Sequence, residues 1–290
     1  MIAHPQCIPC LISQGLNAVR KLRLGEEKEK EIAERALRFL ASFPKIDRSP
    51  AYYAYYIQRI VMEVAGNEDP FKEQKKTANR VALKILPLIE DMLSKSEDPI
   101  AFSLKVSAVG NYIDFAIRDL VDVERDVLDM LGEEFVIWDY GIFRNKLKDS
   151  RKVLIIGDNA GEIAFDKVLV KVLKEFGLEV TYAVKGKPIL NDATLEDAEE
   201  VSMTSLCKVI DNGSDRVGTW LETCSEEFRR ELFSSDLVIS KGQANFETLS
   251  DLDRDLFFLL VAKCDPIAKE TGGKKGKLIF RYKGADIISL

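Results

Sequence analysis

The chain changes its hydrophobic period once, near residue 150, and that change constrains the fold more than any other feature. Before it, Ile32, Ala36, Leu37 and Leu40 recur at three- and four-residue steps, as do Val81, Ile85, Leu88, Ile89 and Met92. That is the period of one buried helix face. Ser49-Pro50, Asp69-Pro70 and Asp98-Pro99 each set a proline where a helix starts and its missing N–H is not needed. After residue 150, Val153-Leu154-Ile155-Ile156 is a short apolar run bounded by charge and glycine, as expected of a strand buried on both faces. Runs at 180–184, 208–210, 237–239 and 257–261 repeat the pattern, and 278–282, bracketed by Gly276 and Gly284, reads as a final edge strand. Helical segments at 163–176 and 226–233 separate two of the strand pairs, which implies parallel strands joined by crossovers. The expected fold is α/β, with a helical domain over 1–150 packed on an α/β/α sandwich with a mainly parallel sheet over 151–290.

The 290 residues, 46% of them hydrophobic, provide material for a large core. With 42 basic and 48 acidic residues the formal charge is -6, which argues against a general nucleic-acid binder, so an anionic ligand must be attracted locally. No apolar run approaches the roughly 20 residues that span a bilayer. The first ten residues lack the layout of a signal peptide, so a cytoplasmic location without membrane contact is expected. Five scattered cysteines make no disulfide framework. Cys7 and Cys10 lie three apart, with His4 three residues earlier, which is either a partial metal or thiol site or a set of small buried residues. Cys207, Cys224 and Cys264 stand isolated in sequence. The cluster Tyr52, Tyr53, Tyr55 and Tyr56 either lines a cleft or packs helices.

In an open parallel sheet, ligands bind beyond the carboxyl ends of the strands, where loops converge and helix N-termini point their free N–H groups. The first strand is followed by Gly157-Asp158-Asn159-Ala160-Gly161-Glu162, and the second by Lys185-Gly186-Lys187-Pro188 leading to Asn191-Asp192. The later ones are followed by Asp211-Asn212-Gly213-Ser214, by Ser240-Lys241-Gly242-Gln243-Ala244-Asn245, and by Lys263-Cys264-Asp265. Each alone is an ordinary cap or turn; together on one sheet edge they make a site. Asp158 and Asn159 offer adjacent hard oxygens and Asp192 another carboxylate, a set suited to Mg2+ or Mn2+, with Ni2+ or Co2+ as alternatives. Gly161 and Glu162, at the helix start, are expected beside a bound anion, and Lys241 and Lys263 beside phosphate oxygens. Asn111 and Asp114, three apart in an apolar helix, face either the cleft or a neighbouring helix.

At these residues the chain resembles the damage-control phosphatases, first catalogued as domain of unknown function 89. The resemblance rests on the 157–162 motif, on Lys185-Gly186-Lys187-Pro188 with Asn191-Asp192-Ala193-Thr194, on Asp211-Asn212-Gly213-Ser214 and on Lys241-Gly242-Gln243-Ala244-Asn245-Phe246. Gly110-Asn111 with Ile113-Asp114-Phe115, and Cys7-Ile8-Pro9-Cys10, resemble the compact cysteine-bearing branch, so the likeness spans nearly the whole chain. It implies a helical domain on an α/β/α sandwich, a divalent ion on Asp158, Asn159 and Asp192, hydrolysis of small phosphate esters, and substrate contacts from Asn245 and Lys263. Other members carry Asp where Gln243 stands and Arg where Glu247 stands. One phosphate-pairing cation is thus missing, and the fructose phosphates of those members are not carried over.

The expected reaction is phosphomonoester hydrolysis by a water that attacks in line, with Asp158 and Asp192 as the catalytic carboxylates; attack by Asp158 itself is the other route. The expected partner is a small phosphate substrate, a sugar phosphate, nucleotide or damaged phosphometabolite, and a homo-oligomer is compatible with the chain. A carboxyl methyltransferase and a non-catalytic phosphometabolite-binding module are the rival functions. The chain lacks a Gly-rich loop ending in Gly-Lys-Ser/Thr and a G-x-G-x-x-G after the first strand, which speaks against ATP-driven and dinucleotide chemistry.

Overall fold

The computed structural model describes residues 1–112 and 120–284. The first helices are α1 (Cys7–Leu22), α2 (Glu26–Ala41), α3 (Pro50–Ala65), α4 (Lys72–Ser94), α5 (Pro99–Tyr112) and α6 (Leu120–Leu131). Strand β1 (Phe135–Trp138) and α7 (Tyr140–Leu147) follow, then β2 (Lys152–Ile156), α8 (Glu162–Glu175), β3 (Glu179–Val184), α9 (Leu195–Glu200) and β4 (Lys208–Asp211). The rest comprises α10 (Glu226–Ser234), β5 (Leu237–Lys241), α11 (Gln243–Leu249), β6 (Leu256–Val261), α12 (Asp265–Thr271) and β7 (Leu278–Lys283). Pro50 opens α3 as expected, and the Ser49 hydroxyl caps it by accepting from the Tyr52 N–H at 3.2 Å.

The seven described strands form one sheet in the order β1-β7-β6-β5-β2-β3-β4. β2 pairs in parallel with β3 and β5, β3 with β4, and β5 with β6, so the carboxyl ends of these five share one edge. The chain order reverses on either side of β2, which places the switch crevice between β2 and β5. Side chains alternate strictly across the sheet. Val153, Ile155, Ile239, Phe257 and Leu259 face a core built with α4, α5, α6 and α8. Leu154, Ile156, Val238, Phe258 and Leu260 face another with α10, α11 and α12. A separate core joins α1, α2 and α3 to Ile189 and Val217, so these helices cap the loops at the sheet's carboxyl edge.

Two expectations change. The 278–282 run is not an edge strand: β7 lies inside the sheet, antiparallel to β6 and parallel to β1. The true edge is β1, inside the segment read as wholly helical, so the sheet core draws on both sides of residue 150. Phe135-Val136-Ile137-Trp138 is an apolar run, but at four residues, lying between helices α6 and α7, it is too short to be told from helix by its pattern alone.

Candidate metal and phosphate site

Two loops meet at the switch crevice. Asn159, after β2, forms an isolated antiparallel bridge with Asp192, after β3. The Ala193 N–H donates to the Asp158 carbonyl at 2.8 Å, and the Ala160 N–H to that of Asn191 at 2.8 Å. These bonds bring the three residues expected to hold a metal onto one cleft of about 1200 Å3, which Asp158, Asn159, Asp192, Asn111 and Lys263 all line.

Asp158 Oδ2 accepts from Asn111 Nδ2 at 2.8 Å and from Asn159 Nδ2 at 2.9 Å. The same two amides also donate to Glu162 Oε2, at 2.9 and 3.0 Å. Gly242, after β5, backs this carboxylate; at φ 79 its missing side chain matters, because a Cβ there would lie 2.0 Å from Asp158 Oδ2. Burial and then the Glu162 charge push the Asp158 carboxyl above its usual range, against the pull of Lys263. Burial likewise pushes Asp192 up to about 7, although Lys185 Nζ stands 3.5 Å from its Oδ2.

Below the cleft lies a buried ionic cluster. Lys241, fully buried in β5, places its Nζ 2.6 Å from Asp166 Oδ1, against Glu162 Oε1 and 3.0 Å from the Ser107 carbonyl. Tyr182 donates to Asp166 Oδ2 at 2.6 Å. Burial pulls the Lys241 ammonium down, but Asp166 and Glu162 outweigh it and keep it protonated. One cation thus faces two buried carboxylates, with the Asp158 carboxylate sharing the amides of Glu162. This surplus of desolvated negative charge, and the hard-oxygen donors at its cleft side, fit a divalent cation. Among the described residues no three Cys, His, Asp or Glu side chains are grouped to hold a metal, and an amide oxygen such as that of Asn159 would be needed to complete a set.

Several substrate-contact expectations shift with this geometry. Lys241 points under the floor and not at a phosphate, because strand alternation sets it on the face of Leu237 and Ile239, toward α5 and α8. Glu162 is buried with it. The Gly161 N–H is taken by Asn79 Oδ1 at 2.7 Å, so it is not open to an anion. Asn245 is buried, donating to the Gly157 and Lys241 carbonyls and accepting from the Thr219 hydroxyl, and so braces the loop. Lys263 is exposed at the cleft mouth. Asp114 lies outside the described residues.

The 211–214 turn supports the site from behind. Asn212 Oδ1 accepts from the Gly186 N–H at 3.1 Å, and Gly186 packs so closely on Gly213 that a Cβ would sit 2.6 Å from its backbone. Asn79 and Lys75 were not singled out in the sequence, although their i, i+4 spacing on the buried face of α4 was a signal. Asn79 donates to Asp197 at 3.0 Å, and Lys75 Nζ lies 3.0 Å from Asp69 and 3.5 Å from Asp197. Cys264, isolated in sequence, lines the cleft with Cys7 and Cys10. Burial pushes the Cys7 and Cys264 thiols up. Tyr52 packs against Trp220, and Arg216 lies 4.0 Å from the centroid of Tyr55, so these aromatics clamp α3 to the 214–220 loop.

Known proteins resemble this chain in sequence and fold. The family model described as Damage-control phosphatase ARMT1-like domain matches residues 3–279. An uncharacterized protein of Methanocaldococcus jannaschii is 36% identical over 277 residues, covering 92% of this chain and 91% of the relative. A protein of Archaeoglobus fulgidus named damage-control phosphatase is 34% identical over 285 residues, covering 96% and 98%. The crystal structure of a DUF89 family protein from Pyrococcus horikoshii superposes with a TM-score of 0.88 at 33% identity, covering 97% of this chain and 98% of that one. With fold and sequence agreeing almost from end to end, the chain belongs to the damage-control phosphatase family.

Proposed function

We propose that the chain hydrolyses small phosphate monoesters in the cleft over Asp158, and that it does so with a divalent cation, Mg2+ or Mn2+, held by Asp158, Asn159 and Asp192. The observation that carries this reading is the backbone bridge between Asn159 and Asp192, which holds the carboxylates of Asp158 and Asp192 on one cleft. When bound, the cation supplies Lewis-acid polarisation of the phosphoryl group. Asn111 and Asn159 hold the Asp158 carboxylate in place with two amide bonds, so that little reorganisation is needed as charge builds on the phosphoryl oxygens. Lys263 at the mouth offers an ammonium to those oxygens. Asp192 accepts the proton of a water that attacks phosphorus as the phosphorus–oxygen bond to the leaving group breaks, and the leaving oxygen takes its proton from solvent. The amide clamp on Asp158 Oδ2 favours this water route over attack by Asp158.

The reading is tested by phosphate release from a panel of phosphomonoesters. Chelator-stripped protein is expected to be inactive, Mg2+ or Mn2+ to restore turnover, and Asp158→Ala to lower kcat at least about a thousandfold. Undiminished turnover in Asp158→Ala would contradict the assignment.

A further inference from the structure

The cleft has a second wall that the phosphate chemistry leaves unused. Gln58, in α3, is 1% exposed and lines it, yet neither Oε1 nor Nε2 has a hydrogen-bond partner among the described residues. Gln74, in α4, lines the same cleft with a buried, unpartnered Oε1. Phe71 and Leu190 stand beside Gln58. The nearby cation, Lys75, is neutralised by Asp69 and Asp197. Leu190 sits at φ 49, a conformation that a bulky residue holds only when its surroundings impose it, and it lies two residues before Asp192.

A buried amide with no partner destabilises the protein that carries it. Ile57, Val61 and Met62 fill the buried face of α3, and an apolar residue at 58 would suit that helix better. Gln58 costs stability in exchange for one acceptor and two donors on a single uncharged group. A phosphate dianion would use only its N–H donors and leave the acceptor unmatched, whereas a ligand with a donor and an acceptor side by side uses both.

We propose that Gln58, assisted by Gln74, determines specificity by hydrogen-bonding the leaving group of the substrate, and that this leaving group is uncharged and carries a paired donor and acceptor, such as adjacent hydroxyls. The proposal rests on the phosphatase reading, with the phosphate at Asp158 and the leaving group directed toward α3.

Two esters of equal chain length separate the ideas: ribitol 5-phosphate, hydroxylated throughout, and n-pentyl phosphate, with no hydroxyl. The parent protein is expected to prefer ribitol 5-phosphate. Gln58→Met should lose about ten- to a hundredfold in kcat/KM on that ester, mainly through KM, and nothing on n-pentyl phosphate. Its Tm should rise by about 2 °C or more, because the unmatched amide is gone. Gln74→Met should show a smaller loss on ribitol 5-phosphate alone. Unchanged preference in Gln58→Met, equal losses on both esters, a lower Tm or a failure to fold overturns the proposal and leaves the phosphatase reading intact. A parent protein that releases phosphate from neither ester while hydrolysing others of the phosphomonoester panel also overturns the proposal alone, and inactivity on the whole panel with Mg2+ or Mn2+ present removes both.

Discussion

Glu247 stands at the cleft wall with almost no exposure, and burial pushes its carboxyl up to about 7 from an ordinary 4.5. The folded chain therefore keeps a proton there that the unfolded chain releases between those values. Stability falls as pH rises through that window and stays reduced above pH 7, by up to ~3 kcal/mol. Glu247→Gln should thus be more stable than the parent at pH 8 and equal to it below about pH 4.5, as denaturant titrations at the two pH values would register. A lower stability at pH 8 would mean that the ionised carboxylate is compensated. Gly242 is the opposite case, a residue defined by what it lacks. Gly242→Ala should push the Asp158 carboxylate aside and strain a left-handed φ, costing about 1–3 kcal/mol and more than tenfold in kcat. That Asp158, Asn159 and Asp192 meet on one cleft is legible in the sequence because they lie in loops that follow uninterrupted strand runs. Lys241 faces inward because β5 runs on past the apolar run that ends at Ile239, and the alternation Leu237, Ile239, Lys241 turns it toward the core.

Helix against helix, the site depends on how closely α5 approaches α8. Gly110 makes that approach possible: a Cβ there would lie 3.3 Å from the Glu162 Cα and 3.4 Å from the Phe165 Cβ. Gly110→Val should force the helices apart, lowering stability by about 1–3 kcal/mol and loosening the Asn111 clamp on Asp158 and Glu162, so that Tm and kcat fall together. A variant with parental Tm and turnover would show that the contact is slack. Helices such as α2 and α4 are readable because one face is buried at a regular period, and β2, β3 and β6 because they are short apolar runs buried on both faces. The direction of β7 was not, since an apolar run buried on both faces looks the same whichever way it lies. Nor was the division of the helices, α1 to α3 capping the loops while α4 to α6 pack on the sheet: apart from α5, which is buried almost all round, an apolar stripe looks the same in either role.

Across the whole molecule, the cleft is closed on one side by the α1–α3 cap and on the other by the loops of the sheet, so what binds there ties two cores together. Mg2+ or Mn2+ at about a hundred times its Kd should stabilise the fold by ~2.7 kcal/mol, seen as a higher Tm. Asp158→Asn should abolish that gain, and an equal gain in the variant would place the cation elsewhere. The sheet's outermost pairing also sets a timetable. β1 bonds only to β7, which lies at the far end of the described chain. Since a polypeptide leaves the ribosome amino end first, Phe135–Trp138 must wait through the synthesis of every other strand before it gains a neighbour. Each nascent copy therefore passes through a period with a bare aromatic edge, and that period is when a chaperone would matter most to it.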